Sequence, residues 1–453
     1  MTEKEFLHQL CRGIGSAIVE LRQNDNREKY KEIVFRCCLK DIGYDTQVEG
    51  TKGYYLYTAI SALGCEDEFL EVIAKAYMER LPYRLMQQLT AILISYIQGG
   101  STKAAAVFRN KYDQLKERLT KQKVFPYRYC EREQFEELMI ASINIGKWSS
   151  FKQCVDDAGA IIQARKDDQC SYYDWFLDSA AIQFGKSKVW KYLDEASIVS
   201  QNAHSVVSEY QKVELTRKNH QNDRPPVTLE FLIEEIRKHS INQRPYGIIG
   251  HVMRFAREAS KEELADLANY IETEDNDFIK TQLLRVFRRA DYPLNKEYLI
   301  NLAHSNNLEL REAAIDTLGR FKEELIHDLA IELLEAGYTE GLTLLKKNWK
   351  KSDDSLIRRL VLKSQRVPHS IQMDLRDIYN KHRSSSCGEI LLHAYRNGEC
   401  SFCRSQIVTA MGKNCVLTDK ILLECQYDSY DETRKYARRL IRRRGLNGEE
   451  NSV

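Results

Sequence analysis

The sequence predicts an all-α chain, an α-solenoid of antiparallel helix pairs arranged in two lobes. Three observations predict it. Only 7 prolines interrupt 453 residues, and an interior proline costs a helix about 3 kcal/mol, so many unbroken helices fit. Apolar residues recur at helical spacing in segment after segment, and long period-two alternation is absent. A chain of this length also outgrows one compact core, a limit that stacked repeats escape because each unit buries its apolar face only against its neighbours.

The first lobe is drawn at 1–218. Phe69, Val72, Ile73, Ala76 and Tyr77 form one apolar stripe, and Leu85, Leu89, Ile92, Leu93 and Tyr96 form the next after a break at Pro82. Phe135, Leu138, Met139 and Ser142 start another, with turns expected at Gly99-Gly100 and Ile145-Gly146-Lys147. A polar run ending in Pro225-Pro226 suits an exposed linker at 219–227, because paired prolines cannot continue a helix. Thr228 is then placed to cap the helix carrying Phe231, Leu232 and Ile236. The second lobe spans 228–445, and 446–453 reads as a polar, disordered tail.

The second lobe carries the clearer repeat. In Leu308–Phe321, the residues Leu310, Ala313, Ala314, Thr317, Leu318 and Phe321 fall on one stripe, with Gly319 near the helix end where a left-handed residue closes a helix. This text resembles the second helix of a HEAT unit, in which an Arg follows the helix start, alanines permit close approach and a Leu-Gly pair ends the core face. Ile279–Arg288, Gly341–Lys347, Met373–Asn380, Phe402–Gly412 and Thr433–Ile441 are its counterparts. Aligning Phe287, Leu318, Leu345, Ile378, Met411 and Leu440 gives a period of roughly 30 residues. Glu297–Ala303 and Leu325–Leu334 read as first helices of pairs.

Charge and composition exclude several classes. The net charge of +2 creates no global field drawing the chain onto nucleic acid or membrane. The longest apolar run, near Ala91–Tyr96, is far below the roughly 20 residues that span a bilayer. Met1–Glu5 lacks the pattern of a signal peptide, and the 12 cysteines read as reduced thiols, so a cytoplasmic location is expected. Phosphate-loop, H-E-x-x-H and nucleophile-elbow motifs are absent. His327-Asp328, adjacent on a helix, is expected to face two ways and to make no dyad.

Four segments remain as candidates for function. Cys400-Ser401-Phe402-Cys403, with Cys387, Cys415 and His393 nearby, contains one C-x-x-C where a tetrahedral zinc site needs two closely spaced pairs. It reads as buried thiols at a helix start, and neither metal nor cofactor is expected. A redox dithiol would need a strand-to-helix turn. The stretch Asp41–Tyr55 is too polar for a core and is rich in Tyr and Gly, so Tyr44, Asp45, Gln47, Glu49, Lys52, Tyr54 and Tyr55 are candidate partner contacts. It is similar to a segment of uncharacterised bacterial HEAT-repeat proteins, which implies no activity. The competing reading is an interhelical loop capped by Asp41 and Asp45.

Cys170–Phe176, flanked by Trp148 and Trp190, sets aromatics beside Asp174. HEAT-like alkylpurine DNA glycosylases use tryptophans and one aspartate, and the resemblance implies Asp174 as base with Trp175 and Trp148 around it. No further motif of that family matches, and aromatic stripes at helical spacing also build cores. The helix Arg434–Arg444 would dock through Tyr436, Ala437, Leu440 and Ile441 and project Arg438, Arg439, Arg442, Arg443 and Arg444 toward phosphates or an acidic partner. Arginines at a helix C-terminus also oppose its dipole, and a terminal repeat needs a polar outer face. The expected function is a non-enzymatic scaffold that recognises a protein partner through a concave helical surface. The alternative is a nucleic-acid-binding solenoid or glycosylase.

Overall fold

The computed structural model describes residues 1–121, 128–164, 174–222, 226–240 and 246–446. Among them are 26 α-helices and no strand. Extended backbone pairs only at an isolated bridge between Val367 and Gly398. None of the described helices is long and apolar enough to cross a membrane. Contacts divide the chain into two units, one of residues 224–399 and 403–418, the other of residues 1–223, 400–402 and 419–453.

In the unit of 224–399 and 403–418, helix pairs follow one another in series. Asp277–Leu284, Leu308–Leu318, Gly341–Asn348 and His369–Lys381 each pack on the next. Their partners Glu324–Glu335, Asp354–Lys363 and Gly388–Asn397 do the same on the other side. The polar bonds between pairs keep this nearest-neighbour order: Asn307–Asp277 spans 30 residues, Arg311–Glu340 29, Thr343–Asp374 31 and Arg358–Glu389 31. One element recurs in detail. Asn348 Nδ2 donates to Phe321 O at 3.0 Å and Leu344 O at 2.9 Å, while its Oδ1 accepts Glu323 N at 2.9 Å. Asn414 repeats the pattern with Tyr379 O, Ala410 O and Ser384 N. A buried amide that satisfies three backbone groups holds the turn between two helices, which is why a polar residue sits in the core.

Leu440 is half-buried and belongs to the other unit, whereas the aligned residues Phe287, Leu318, Leu345, Ile378 and Met411 are all buried. A fully buried Leu or Phe contributes about 1.5–3 kcal/mol, so the seam they form holds successive pairs together. Thr228 caps its helix as expected, its Oγ1 accepting Phe231 N at 3.3 Å. Gly319 corrects an expectation: its φ of −61° is right-handed. The glycine eases a close approach instead, since a Cβ would lie 3.2 Å from Thr343 Cγ2 and 3.3 Å from Thr343 O.

In the other unit, Phe69, Ile73, Tyr77, Leu89, Ile92, Leu93, Phe135, Leu138 and Met139 form the core as their stripes predicted, although Val72 is exposed. The turn expected at Ile145-Gly146-Lys147 is a break inside Arg128–Ala164, where Lys147 takes φ 59° and ψ −139°. The expected linker begins as helix, because Gln201–Asn222 runs on through its first residues; 223–225 and 447–453 lie outside the described residues. The grouping also departs from lobes drawn at 1–218 and 228–445. The last two helices, Asp419–Cys425 and Asp431–Arg444, pack with the first ones. Ser429 N donates to Gly13 O at 2.9 Å, and Arg22 lies over the Tyr427 ring at 4.6 Å and donates to its hydroxyl at 3.1 Å. Gly15 lets the backbones touch, since a Cβ there would lie 1.8 Å from Glu424 O. Lobes read from sequence order assume that each helix packs beside its neighbours in the chain. The last two have other partners.

Candidate functional site

The Asp41–Tyr55 stretch is wired inward. Glu49 accepts Tyr44 N at 2.6 Å and Asp45 N at 2.9 Å on one oxygen, and Ser401 N at 2.8 Å plus the Ser401 hydroxyl on the other. Burial raises the Glu49 carboxyl, but nearby Lys52 and the Ser401 and Asp45 bonds outweigh it and hold it below the usual carboxylate value. Lys52 Nζ donates to Cys11 O at 3.0 Å and Ile42 O at 2.9 Å, and Tyr55 OH donates to Ile14 O at 2.8 Å. Of the seven expected contact residues, Glu49, Lys52 and Tyr55 are therefore buried, Asp45 is half-buried, and Tyr44, Gln47 and Tyr54 reach solvent. Tyr54 lies under the Arg434 guanidinium at 4.9 Å. Polarity misled here, because every polar group of the three has a partner and needs no water.

The aromatic candidates are also structural. The Trp148 ring sits among Phe151, Phe184 and Tyr192 at centroid distances of 5.1, 5.2 and 5.6 Å, with Lys188 over it at 4.5 Å. Trp190 packs on Tyr210. Trp175 is exposed, Asp174 is buried, and residues 170–173 lie outside the described residues. The residue that sequence reasoning missed is Glu136. It is 1% exposed, and one of its oxygens accepts Trp175 N at 2.6 Å and Phe176 N at 3.3 Å, capping the helix Trp175–Phe184 from a distance. Burial, opposed by the Phe176 bond and assisted by the Asp174 charge, pushes its carboxyl up to about 7. Its position between Phe135 and Leu138 on an apolar stripe was the available signal.

In Asp431–Arg444, Arg444 pairs with Asp419 at 2.6 Å, Arg439 lies over Tyr436 at 5.3 Å and Arg438 is half-buried. Arg442 and Arg443 are exposed with no ion-pair partner among the described residues. Cys400, Cys403 and Cys387 are buried and Cys415 is exposed. Cys403 Sγ lies 3.0 Å from His369 Nδ1, whereas His393 hydrogen-bonds Ser364 O. His327 and Asp328, expected to face apart, come together with Nδ1 3.5 Å from Oδ1.

Two clefts were not legible in the sequence. One, of about 540 Å³, is lined by Phe231, His251, Met253, Arg254, Arg257 and Arg289. Phe231 meets His251 edge to face at 5.2 Å, and Phe231 and Met253 are each 38% exposed. Glu258 pairs with both Arg254 and Arg257, while Arg289 is exposed with no ion-pair partner among the described residues. The cleft thus offers an apolar floor with a surplus of positive charge. The second, of about 520 Å³, has Tyr112, Lys116, Gln153 and Asp157 in its wall. There Asp157 accepts Tyr112 OH at 2.9 Å and Gln153 Nε2 at 3.1 Å and pairs with Lys116, so these four side chains already satisfy one another.

No protein-family model matches the chain, and no curated protein or solved structure does. The site has to be read from its own geometry.

Proposed function

We propose that the chain is a non-enzymatic, HEAT-like α-solenoid of the cytoplasm that holds a protein partner. The partner's contact segment is acidic and carries an apolar anchor, and it docks in the cleft of Phe231, His251, Met253 and Arg289. One observation carries the reading: from Asp277 to Asn397 helix pairs meet in sequence order, the arrangement that leaves a long helical surface for docking. The buried carboxylate of Asp354 supports it, because its acceptor capacity is used up by structure. Asp354 alone takes Trp349 Nε1 at 3.0 Å, Tyr379 OH at 2.8 Å and the hydroxyls of Ser384 and Ser386 at 2.5 Å each. The cleft has the mixture of exposed aromatic, Met and Arg that anchors protein interfaces.

A photo-crosslinking residue at Met253, carried by the full chain in the source cells, tests this. The expected adduct is a protein, crosslinked through an acidic peptide, and Arg289→Glu abolishes it. An adduct with nucleic acid, or one indifferent to Arg289→Glu, overturns the reading.

Exposed Arg442 and Arg443 favour a second reading, nucleic-acid binding. It predicts duplex-DNA retention that falls steeply with salt and is lost in the Arg442→Ala/Arg443→Ala variant. No retention at low salt removes it. Glycosylase chemistry through Asp174 has little support, since half-buried Trp148 is packed against the core by Phe184 and Asp174 is buried beside the Glu136 cap.

A further inference from the structure

We propose that Glu324, His327 and Asp328 form a three-ligand site for a first-row divalent cation of the Zn²⁺ class, with Asp353 orienting the histidine. The three ligands lie on one face of Glu324–Glu335, at positions i, i+3 and i+4, and one ligand atom from each falls within 4.8 Å of the others. The cluster is more than a run of surface acids, because its centre is a buried imidazole.

His327 is 8% exposed. Its Nε2 faces the Asp353 carboxylate at 3.2 and 3.3 Å. Asp353 is 4% exposed and is held in turn by Lys350 N at 2.7 Å and the Ser352 hydroxyl at 3.3 Å. A carboxylate at one ring nitrogen places the proton there and leaves a lone pair on the other. That other nitrogen, Nδ1, is buried without a hydrogen-bond partner and lies 3.5 Å from Asp328 Oδ1, beside the Glu324 carboxylate of the same cluster. A lone pair confronting carboxylates favours positive charge beside them; the Lys350 ammonium, paired with Glu324, supplies part of that charge, and a metal ion would supply it at the nitrogen itself. A carboxylate–histidine pair with the second nitrogen free is also the usual support of a metal-bound imidazole.

Imidazole nitrogen combined with carboxylate oxygens selects Zn²⁺ and its neighbours over Mg²⁺ and Ca²⁺, which take oxygen ligands. Glu324 and Asp328 have side chains 72% and 68% exposed, so their carboxylates can rotate to close on an ion. Three protein ligands leave coordination positions open. The competing cation is Lys350, whose ammonium pairs with Glu324. Exposed pairs of this kind are weak, and freeing Glu324 is expected to tighten metal binding about two- to five-fold.

The test titrates the chelator-stripped full chain with Co²⁺ and follows both stoichiometry and absorption. Sulfur ligands add an intense thiolate-to-cobalt band, which separates this site from the cysteines. The Glu324→Gln/Asp328→Asn variant alters only exposed side chains; it is expected to keep its helical circular dichroism and to lose one equivalent of Co²⁺ whose spectrum lacks the sulfur band. Lys350→Met is expected to bind that equivalent two- to five-fold tighter. If the double variant binds as many equivalents as the parent, if the lost equivalent carries the sulfur band, or if Lys350→Met binds more weakly, the assignment is overturned.

Discussion

Gly15→Ala is expected to loosen the last two helices from the first ones. The new Cβ would fall 1.8 Å from Glu424 O, 2.8 Å from Glu424 C and 3.2 Å from Asp428 N. A carbon and a carbonyl oxygen rest at about 3.3–3.6 Å, so the backbones must part by about 1.5 Å, and no side-chain rotation can relieve a clash with main chain. Overpacking of this kind costs about 1–3 kcal/mol. The Ser429 N–Gly13 O and Arg22–Tyr427 hydrogen bonds cross the same contact and would each give up about 1 kcal/mol if broken. Against this, replacing Gly by Ala in a helix gains about 0.5–1 kcal/mol. The clash wins, for a net loss of about 2 kcal/mol. Gly250→Ala is the matched control. It lies inside the helix Tyr246–Glu258, and its Cβ would meet nothing within 4 Å, so that variant is expected to gain about 0.5–1 kcal/mol. Urea unfolding followed by circular dichroism measures both signs, and hydrogen exchange of peptides within 419–446 reads the local opening. The reasoning fails if Gly15→Ala is as benign as Gly250→Ala and exchange in 419–446 stays that of the parent.

Glu136→Gln keeps the acceptor for Trp175 N and Phe176 N but cannot ionise. Because burial raises the Glu136 carboxyl from 4.5 to about 7, its favourable contribution is complete below about pH 4.5 and is lost as pH rises through 7. The shift of about 2.5 units corresponds to about 3 kcal/mol, so the variant's stability relative to the parent is expected to rise by about that amount between pH 4.5 and 8. A flat difference across those unfolding curves refutes the raised value. Lys111 is the opposite case: it is 1% exposed, and burial depresses its ammonium from 10.5 to about 8. Its contribution is complete above about pH 10.5 and is lost as pH falls through 8. Lys111→Met is therefore expected to stabilise by about 1–2 kcal/mol at pH 7, after about 1 kcal/mol is deducted for the bond to Glu79 O, with the gain shrinking toward pH 10. Cys11 and Cys37 lie 3.8 Å apart at sulfur. The Cys37 hydrogen bond, against burial and with help from Lys52, brings the Cys11 thiol down to about 7, whereas burial holds Cys38 up. Iodoacetamide near pH 7.5 is expected to label half-buried Cys11 well before Cys38, as read by peptide mass spectrometry; equal rates would contradict the thiolate at Cys11.

Much of the helical order was legible in the sequence because it depends on local spacing. The stripes at Phe69–Tyr77, Leu89–Tyr96 and Phe135–Met139 found the core of their helices, and the Leu308–Gly319 pattern located its counterparts at Gly341, Met373 and Phe402. Period and propensity act over a few residues, so one sequence carries them openly. The Asp41–Tyr55 stretch and the tryptophans were harder to read. Glu49, Lys52 and Trp148 have the residue types of a binding surface, and whether they are covered, fully for the first two and in part for Trp148, depends on what stands opposite.

The sequence by itself determined an all-helical chain, the positions of many of its helices and the spacing of successive pairs from Leu308 to Asn397. Only the tertiary structure decided that Glu49 would meet Ser401 across 352 residues, that Glu136 would cap a helix starting at Trp175, that Asp353 would face His327, and that Gly15 would let Glu424 approach. The physical reason is common to all four. A helix announces its apolar face through its own period, but what a buried charge pairs with, or which backbone a glycine lets approach, arrives from elsewhere in the chain and follows from packing.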